Sequence, residues 1–284
     1  MLSSALAAAL SITAATSRAA VVFSDAFNYP AGDLVANSGG VWTLDGVPAA
    51  GTNFAVKAAG WGTGNGVQSD PREGNIRAMH AVDLSAHTNS TVYFSTLIDA
   101  LPVPTASPIF GDGDEGKRFV VMSLFGEAVP GSGTLTERLY FGRASGNDAN
   151  WGIYGIASGG NKFSTVTSDA FNGPKLLVLR VDFSSTGVDP ARLYVLDPNN
   201  LPATEPGTAD ASTTPMEMGS VTSIRFGSGW SASGAANPTS WGMFDNMGVF
   251  TQWNDLSAVN VPEPGSALLL GVSLAGVALR RRRD

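Results

Sequence analysis

The chain has 284 residues, no cysteine, 34 glycines, and 24 acidic against 17 basic residues, for a formal charge of −7. Without cysteine there is neither a disulfide nor a thiolate metal centre, so the fold must stand on its hydrophobic core. The acidic balance excludes a nucleic-acid or anionic-lipid partner for the globular part, and low charge with abundant glycine points to a turn-rich, all-β chain.

Residues 1–19 hold an apolar stretch and a small-residue exit, Ser17-Arg18-Ala19, the layout of a signal peptide removed by signal peptidase. Residues 21–29 (VVFSDAFNY) then read as a strand ending at Pro30-Ala31-Gly32, and a turn at 37–40 leads into a strand at 41–44. A short strand is expected at 53–59, and GWGTGNG at 60–66 reads as loop. Strands follow at 75–84 and 90–100, the second alternating as TVYFSTLID before Pro102. After the charged loop FGDGDEGK at 110–117, strands are predicted at 118–125, 135–144, 151–157 and 162–167, separated by Gly, Asn and Ser clusters. Residues 175–183 form the most apolar internal strand, with Leu177, Leu179, Val181 and Phe183 on one face and 191–196 as its pairing partner. A Pro/Thr/Ala-rich excursion at 201–214 precedes strands at 216–226 and 241–250, and 257–261 reads as a linker. About a dozen strands at short, regular spacing predict a single sandwich or jelly roll over 20–256.

Several pieces of that domain, SDAFNYPAG with NSGGVW, KLLVLRVDF with ARLYVLDPNN, and FDNMGVFTQW, resemble concanavalin A-like (laminin-G-like) jelly rolls of bacterial surface proteins. The resemblance implies that the first and last strands lie side by side. It also makes Asp25 and Asp245, on those strands, candidates for a structural Ca²⁺, because hard cations take carboxylate oxygens. Asp112, Asp114 and Glu115 offer the same oxygen chemistry but lack EF-hand spacing, so an acidic turn is the simpler reading.

A catalytic centre is hard to assemble from this inventory. A glycosidase on such a sandwich needs carboxylates spaced by twos on one strand, whereas Glu73, Glu115, Glu127, Glu137, Glu205, Glu217 and Glu263 are scattered. His80 and His87 are the only histidines, which excludes a three-imidazole metal centre, and no Gly-x-Ser-x-Gly elbow joins a strand to a helix. Among six tryptophans, Trp61, Trp151, Trp230 and Trp241 sit in or beside Gly/Asn/Ser-rich stretches and are candidates for stacking on sugar rings, against the alternative that they fill the core.

The tail at 257–284 has its own organisation. Val261 leads into Pro262-Glu263-Pro264, an apolar run spans 266–279, and Arg280, Arg281, Arg282 and Arg283 close it. That run of about 14 residues makes a helix of roughly 21 Å, short of the roughly 30 Å of a bilayer core. It reads as a short transmembrane helix that relies on snorkelling arginines, whose charge holds that end in the cytoplasm. Pro264 suits a helix start and Glu263 meets its positive end. The arrangement resembles the PEP-CTERM sorting signal of Gram-negative, exopolysaccharide-producing bacteria. It implies recognition by an exosortase, a membrane cysteine protease that cleaves near the triplet after transient anchoring in the inner membrane.

The combined expectation is an exported, non-enzymatic cell-surface or extracellular-matrix protein, with exopolysaccharide or another glycan as a candidate partner and no cofactor beyond the candidate calcium. Fold analogy does not decide function. The competing readings are a secreted polysaccharide-active enzyme (glycoside hydrolase or lyase) and a purely structural matrix protein.

Overall fold

The computed structural model describes residues 21–44, 54–57, 65–69, 76–99, 118–127, 135–143, 150–156, 162–170, 173–213, 218–230 and 242–260. In chain order the strands are β1 (Val21–Asp25), β2 (Gly32–Asp33), β3 (Thr43–Leu44), β4 (Phe54–Lys57), β5 (Gly66–Ser69), β6 (Ile76–Ala81), β7 (Thr91–Asp99) and β8 (Arg118–Glu127). They continue with β9 (Leu135–Arg143), β10 (Asn150–Ile156), β11 (Lys162–Ala170), β12 (Lys175–Asp182), β13 (Ala191–Leu196), β14 (Ala211–Ser212), β15 (Val221–Trp230) and β16 (Met243–Phe250). Two short helices accompany them, α1 (Leu34–Asn37) and α2 (Leu256–Asn260).

The strands form two antiparallel sheets. One runs β14-β13-β12-β7-β16-β5-β4-β2 with β1 also on β16, and the other runs β11-β10-β9-β8-β15-β6-β3. This is an all-β sandwich, as the strand spacing predicts. The first and last strands do lie side by side: Phe23 faces Val249 and Asp25 faces Met247 across the β1–β16 ladder. β5 takes the other portion of β16, opposite Met243 and Phe244, and a register shift between Asp245 and Gly248, with Asn246 at φ 44°, falls where the partner changes. The pairing of 175–183 with 191–196 is also found, Leu179 opposite Leu193.

Between the sheets lies the main core, which includes Trp42, Phe54, Phe94, Phe141, Trp151, Phe226 and Phe244. β12 shows why one strand is apolar almost throughout. Leu177, Leu179 and Val181 enter this core, while Leu176 and Val178 enter a second apolar cluster on the outer side of the same sheet. A strand covered on both faces loses the usual alternation.

Four expectations need revision or fall outside the described residues. β5 starts on Gly66, the last residue of the stretch that reads as loop, and runs on to Ser69 where no strand is expected. Residues 257–260, expected as linker, are helical in α2 with Val259 buried. The signal peptide at 1–19 and the apolar run at 266–279 lie outside the described residues. Among those described, no helix is long and apolar enough to cross a membrane.

Asp25 ties the start of the chain together. Its Oδ1 accepts from the Phe27 amide at 2.7 Å, and its Oδ2 accepts from the Tyr29 hydroxyl and from Trp42 Nε1, both at 2.6 Å. Phe27 sits at φ 51°, a costly conformation for a bulky residue. The Asp25 bond and the stacking of its ring on Trp42 at 5.7 Å hold it there. Asp25→Ala strands three donors, two of them on residues of the core region, and is expected to cost about 2–4 kcal/mol. Urea unfolding checks this as a lower midpoint at unchanged slope.

Candidate functional site

The outer face of the β7–β12–β13–β16 sheet carries a cluster of side-chain hydrogen bonds centred on Glu205. Tyr93 on β7, Leu176 and Val178 on β12, Tyr194 on β13 and Phe250 on β16 expose an apolar surface there, and two segments cover it. One is the strap at 197–210, which departs from β13 and returns to it, Asp210 N donating to Leu193 O at 2.9 Å and Asp210 Oδ2 accepting from Val195 N at 2.7 Å. The other is the stalk at 251–260, which follows β16 directly.

Glu205 pins the strap. Both of its oxygens accept from Arg180 Nη1, at 2.8 and 2.9 Å, and it also accepts from the Tyr93 hydroxyl at 2.8 Å and from the Tyr194 hydroxyl. Arg180 reaches back to Asp182 at 2.8 Å, and Asp182 accepts from Thr91 Oγ1 at 2.6 Å. Burial pushes the Glu205 carboxyl up, but the bonds from Tyr194, Arg180 and Tyr93, with the guanidinium charge, outweigh it and leave it below the usual range. Burial and the Glu205 bonds push both tyrosine hydroxyls well up. The knot is therefore ionised carboxylate, cation and neutral phenols over the working pH range. A general acid needs the opposite displacement.

The stalk packs beside this knot. Trp253 is 7% exposed, lies edge-on to Tyr93 and Tyr194 at 5.7 and 5.3 Å, and donates from Nε1 to Pro202 O at 3.1 Å, joining stalk to strap. Leu256 and Val259 of α2 are buried in the same cluster. Gly248 of β16 makes room for the last of them: a Cβ there would stand 2.2 Å from Val259 Cγ1. Only a residue without a side chain lets α2 sit so close to the strand.

The residues singled out in the sequence fare differently. Trp151 is 0% exposed within the main core, so it has no free ring face and is not a sugar platform. Trp230 ends β15 opposite Arg118, with its side chain outside the described set. Trp61, Trp241, Asp112, Asp114 and Glu115 also lie outside the described residues, as do Val261, Pro262, Glu263, Pro264 and Arg280 to Arg283. Asp25 has its oxygens filled by protein donors, which is not the open carboxylate a calcium ion requires. Asp245 is buried and accepts from Asn246 N at 2.8 Å. Among the described residues no group of three or more Asp, Glu or His converges. His80 Nδ1 donates to Val41 O at 2.7 Å, and its ring stacks on Phe23 at 4.0 Å.

Two other surfaces carry mixed chemistry. A pocket of about 120 Å³ lies at one end of the sandwich, with Val82, Leu84, Phe183 and Val221 as apolar wall and Asp83 and His87 among its polar lining. On the outer face of the second sheet Tyr140 stacks on Tyr154 at 5.2 Å, and Arg225 lies over Phe125 while bonded to Glu137 at 2.5 Å. Sequence reasoning missed Glu205, Arg180, Trp253 and Val259. Only the doubly apolar β12, with a lone arginine in it, hinted at a covered outer face.

The geometry defines a two-sheet antiparallel β-sandwich with a strapped outer face and a docked C-terminal stalk. Immediately beyond lies the second defining feature: residues 260–283 match the PEP-CTERM protein-sorting motif, which implies recognition by an exosortase. No curated protein matches the chain in sequence. Among solved structures, the globular domain of T. cruzi calreticulin is similar at 11% identity, covering 90% of this chain and 99% of that one, with a TM-score of 0.44. An endo-β-1,4-glucuronan lyase from the fungus Trichoderma reesei is similar at 7% identity over 80% and 96% of the two chains, with a TM-score of 0.47. An alginate lyase from Chlorella virus gives 11%, 78% and 98%, and 0.44. At these scores the likenesses assign neither activity nor ligand to this chain.

Glu205→Gln removes the charge that meets Arg180 Nη1 and the two phenols, and is expected to cost about 1–3 kcal/mol. The native carboxyl contributes in full above its unfolded value of about 4.3, and that contribution is lost as pH falls through the lower folded value. Thermal unfolding followed against pH checks both points: the variant is less stable at pH 7 and loses less between pH 5 and 3.

Proposed function

We infer that the chain is an exported cell-envelope protein whose β-sandwich is delivered by an exosortase and then serves, without catalysis, as a surface or glycan-binding body. One observation carries this reading. The last residue of α2, Asn260, is also the first residue of the PEP-CTERM match. The last described element of the sandwich therefore ends where the sorting signal starts, which supports reading the tail as an address appended to the folded body.

The order of events follows from the chain's chemistry. Residues 1–19 take it across the inner membrane and are removed by signal peptidase. The apolar run at 266–279, stopped by Arg280 to Arg283, holds it in that membrane until cleavage near Pro262-Glu263-Pro264 passes it to the surface and its matrix. The non-catalytic reading is supported by Glu205 and Glu137, whose carboxylates are engaged by Arg180 and Arg225. For a glycan partner, the pocket beside Phe183 combines an apolar wall with Asp83 and His87, the pairing of surfaces that sugar rings use.

A chain ending at Asn260 is expected to fold but to be lost from the cell surface. Delivery to the same place in the same amount would overturn the sorting reading. Intact protein on a glycan array should retain polysaccharides without releasing reducing sugar or unsaturated uronate. Release would assign an enzyme, and absence of binding a purely structural matrix role.

A further inference from the structure

We propose that the stalk at 253–260 is a latch, and that its release from the outer face of the sheet precedes cleavage at the adjoining sorting motif. This rests on the exosortase reading above and adds a control point to it. Val259, in the notch left by Gly248, is the positioning residue of the latch.

The argument starts from reach. Val259 is 8% exposed and fixed against β16, and Pro262 follows three residues later. Even fully extended, three residues span only about 11 Å. Proteases hold their substrates as extended strands in a cleft, with main-chain bonds on both sides of the scissile bond, and cleave where the chain opens locally. Residues 256–260 are instead helical, and Leu256 and Val259 are turned into the second apolar cluster. A bond in or beside the Pro262-Glu263-Pro264 triplet therefore has its upstream residues withheld while the stalk is docked. When opening and reclosing are fast, cleavage follows the open population.

The latch is also built to open. Among its described contacts are Trp253 against Tyr93, Tyr194 and the Pro202 carbonyl, and the buried side chains of Leu256 and Val259. Asp255 works against them, since its Oδ2 is enclosed in the docked state with no hydrogen-bond partner, a cost that is relieved on release. None of Trp253, Asp255, Leu256 and Val259 belongs to a strand, so the stalk can leave without unpairing one. Local opening of this kind is open to segments that lie outside the hydrogen-bonded sheets.

The experiment is pulse-chase processing of the full chain in a host with its exosortase. Val259→Asp expels the latch, and ten Gly/Ser residues inserted between Asn260 and Val261 free the motif while leaving the latch docked. Both are expected to shorten the lifetime of the unprocessed form, about tenfold if docking is worth about 1.4 kcal/mol. Asp255→Ala, which removes the enclosed carboxylate, is expected to lengthen it. Equal or slower processing of both Val259→Asp and the insertion would overturn the latch while the sorting reading stands. A wild-type chain that is never processed would overturn both. Unchanged thermal unfolding of the insertion variant shows that its effect is on access and not on folding.

Discussion

The β7–β12–β16 sheet is buried on both faces, and most of what is unusual in this molecule follows from that. Its inner side meets the second sheet through the aromatic core, and its outer side would otherwise present Tyr93, Val178, Tyr194 and Phe250 to water. The cover is not a third sheet but two irregular segments. Irregular backbone laid over an apolar surface needs partners for its polar groups, and Glu205, Arg180 and the two phenols provide anchoring at the centre of that surface. Burial of side chains such as Trp253 and Leu256 contributes on the order of 1.5–3 kcal/mol each as an upper figure. A chain with no cysteine thus fastens its loose segments with charge-assisted hydrogen bonds where a secreted domain often uses disulfides.

The strands were legible because their pattern is local. TVYFSTLID alternates, and KLLVLRVD is apolar on both sides because both sides are covered. What sequence could not display were relations between distant positions. Glu205 lies 112 residues from Tyr93 and 25 from Arg180, so nothing near it in the chain marks it as a clamp. α2 is five residues long, too short to show a helical period, and it is held by the notch at Gly248. Trp151 heads a predicted strand and is offered for sugar stacking because of its Asn and Gly neighbours, but its ring fills the inner side of that strand. Asp25, on the first strand, has an indole, a phenol and an amide as its partners, contacts that its sequence neighbourhood does not display. The sorting motif was readable because it is a linear signal whose meaning does not depend on tertiary context.

Body and address meet at a joint that belongs to both. The last described element of the sandwich ends at Asn260, and the motif begins at that residue. An address on a long flexible tether would be read regardless of the state of its cargo. Here the last turn of the cargo is folded against the sheet, so reading the address and the condition of the outer face are mechanically coupled through Trp253, Leu256 and Val259.

The position of β16 has a consequence for how such a chain is made. It is bordered by β7 on one side and by β5 and β1 on the other, all of them synthesised far earlier. A polypeptide emerging amino end first therefore keeps its opening strand waiting, edge unsatisfied, until almost the whole sequence has appeared, and such distant pairings form slowly. Threading through a narrow pore is compatible with a body that stays incomplete for that long. Its final seam closes only when the label is already in view.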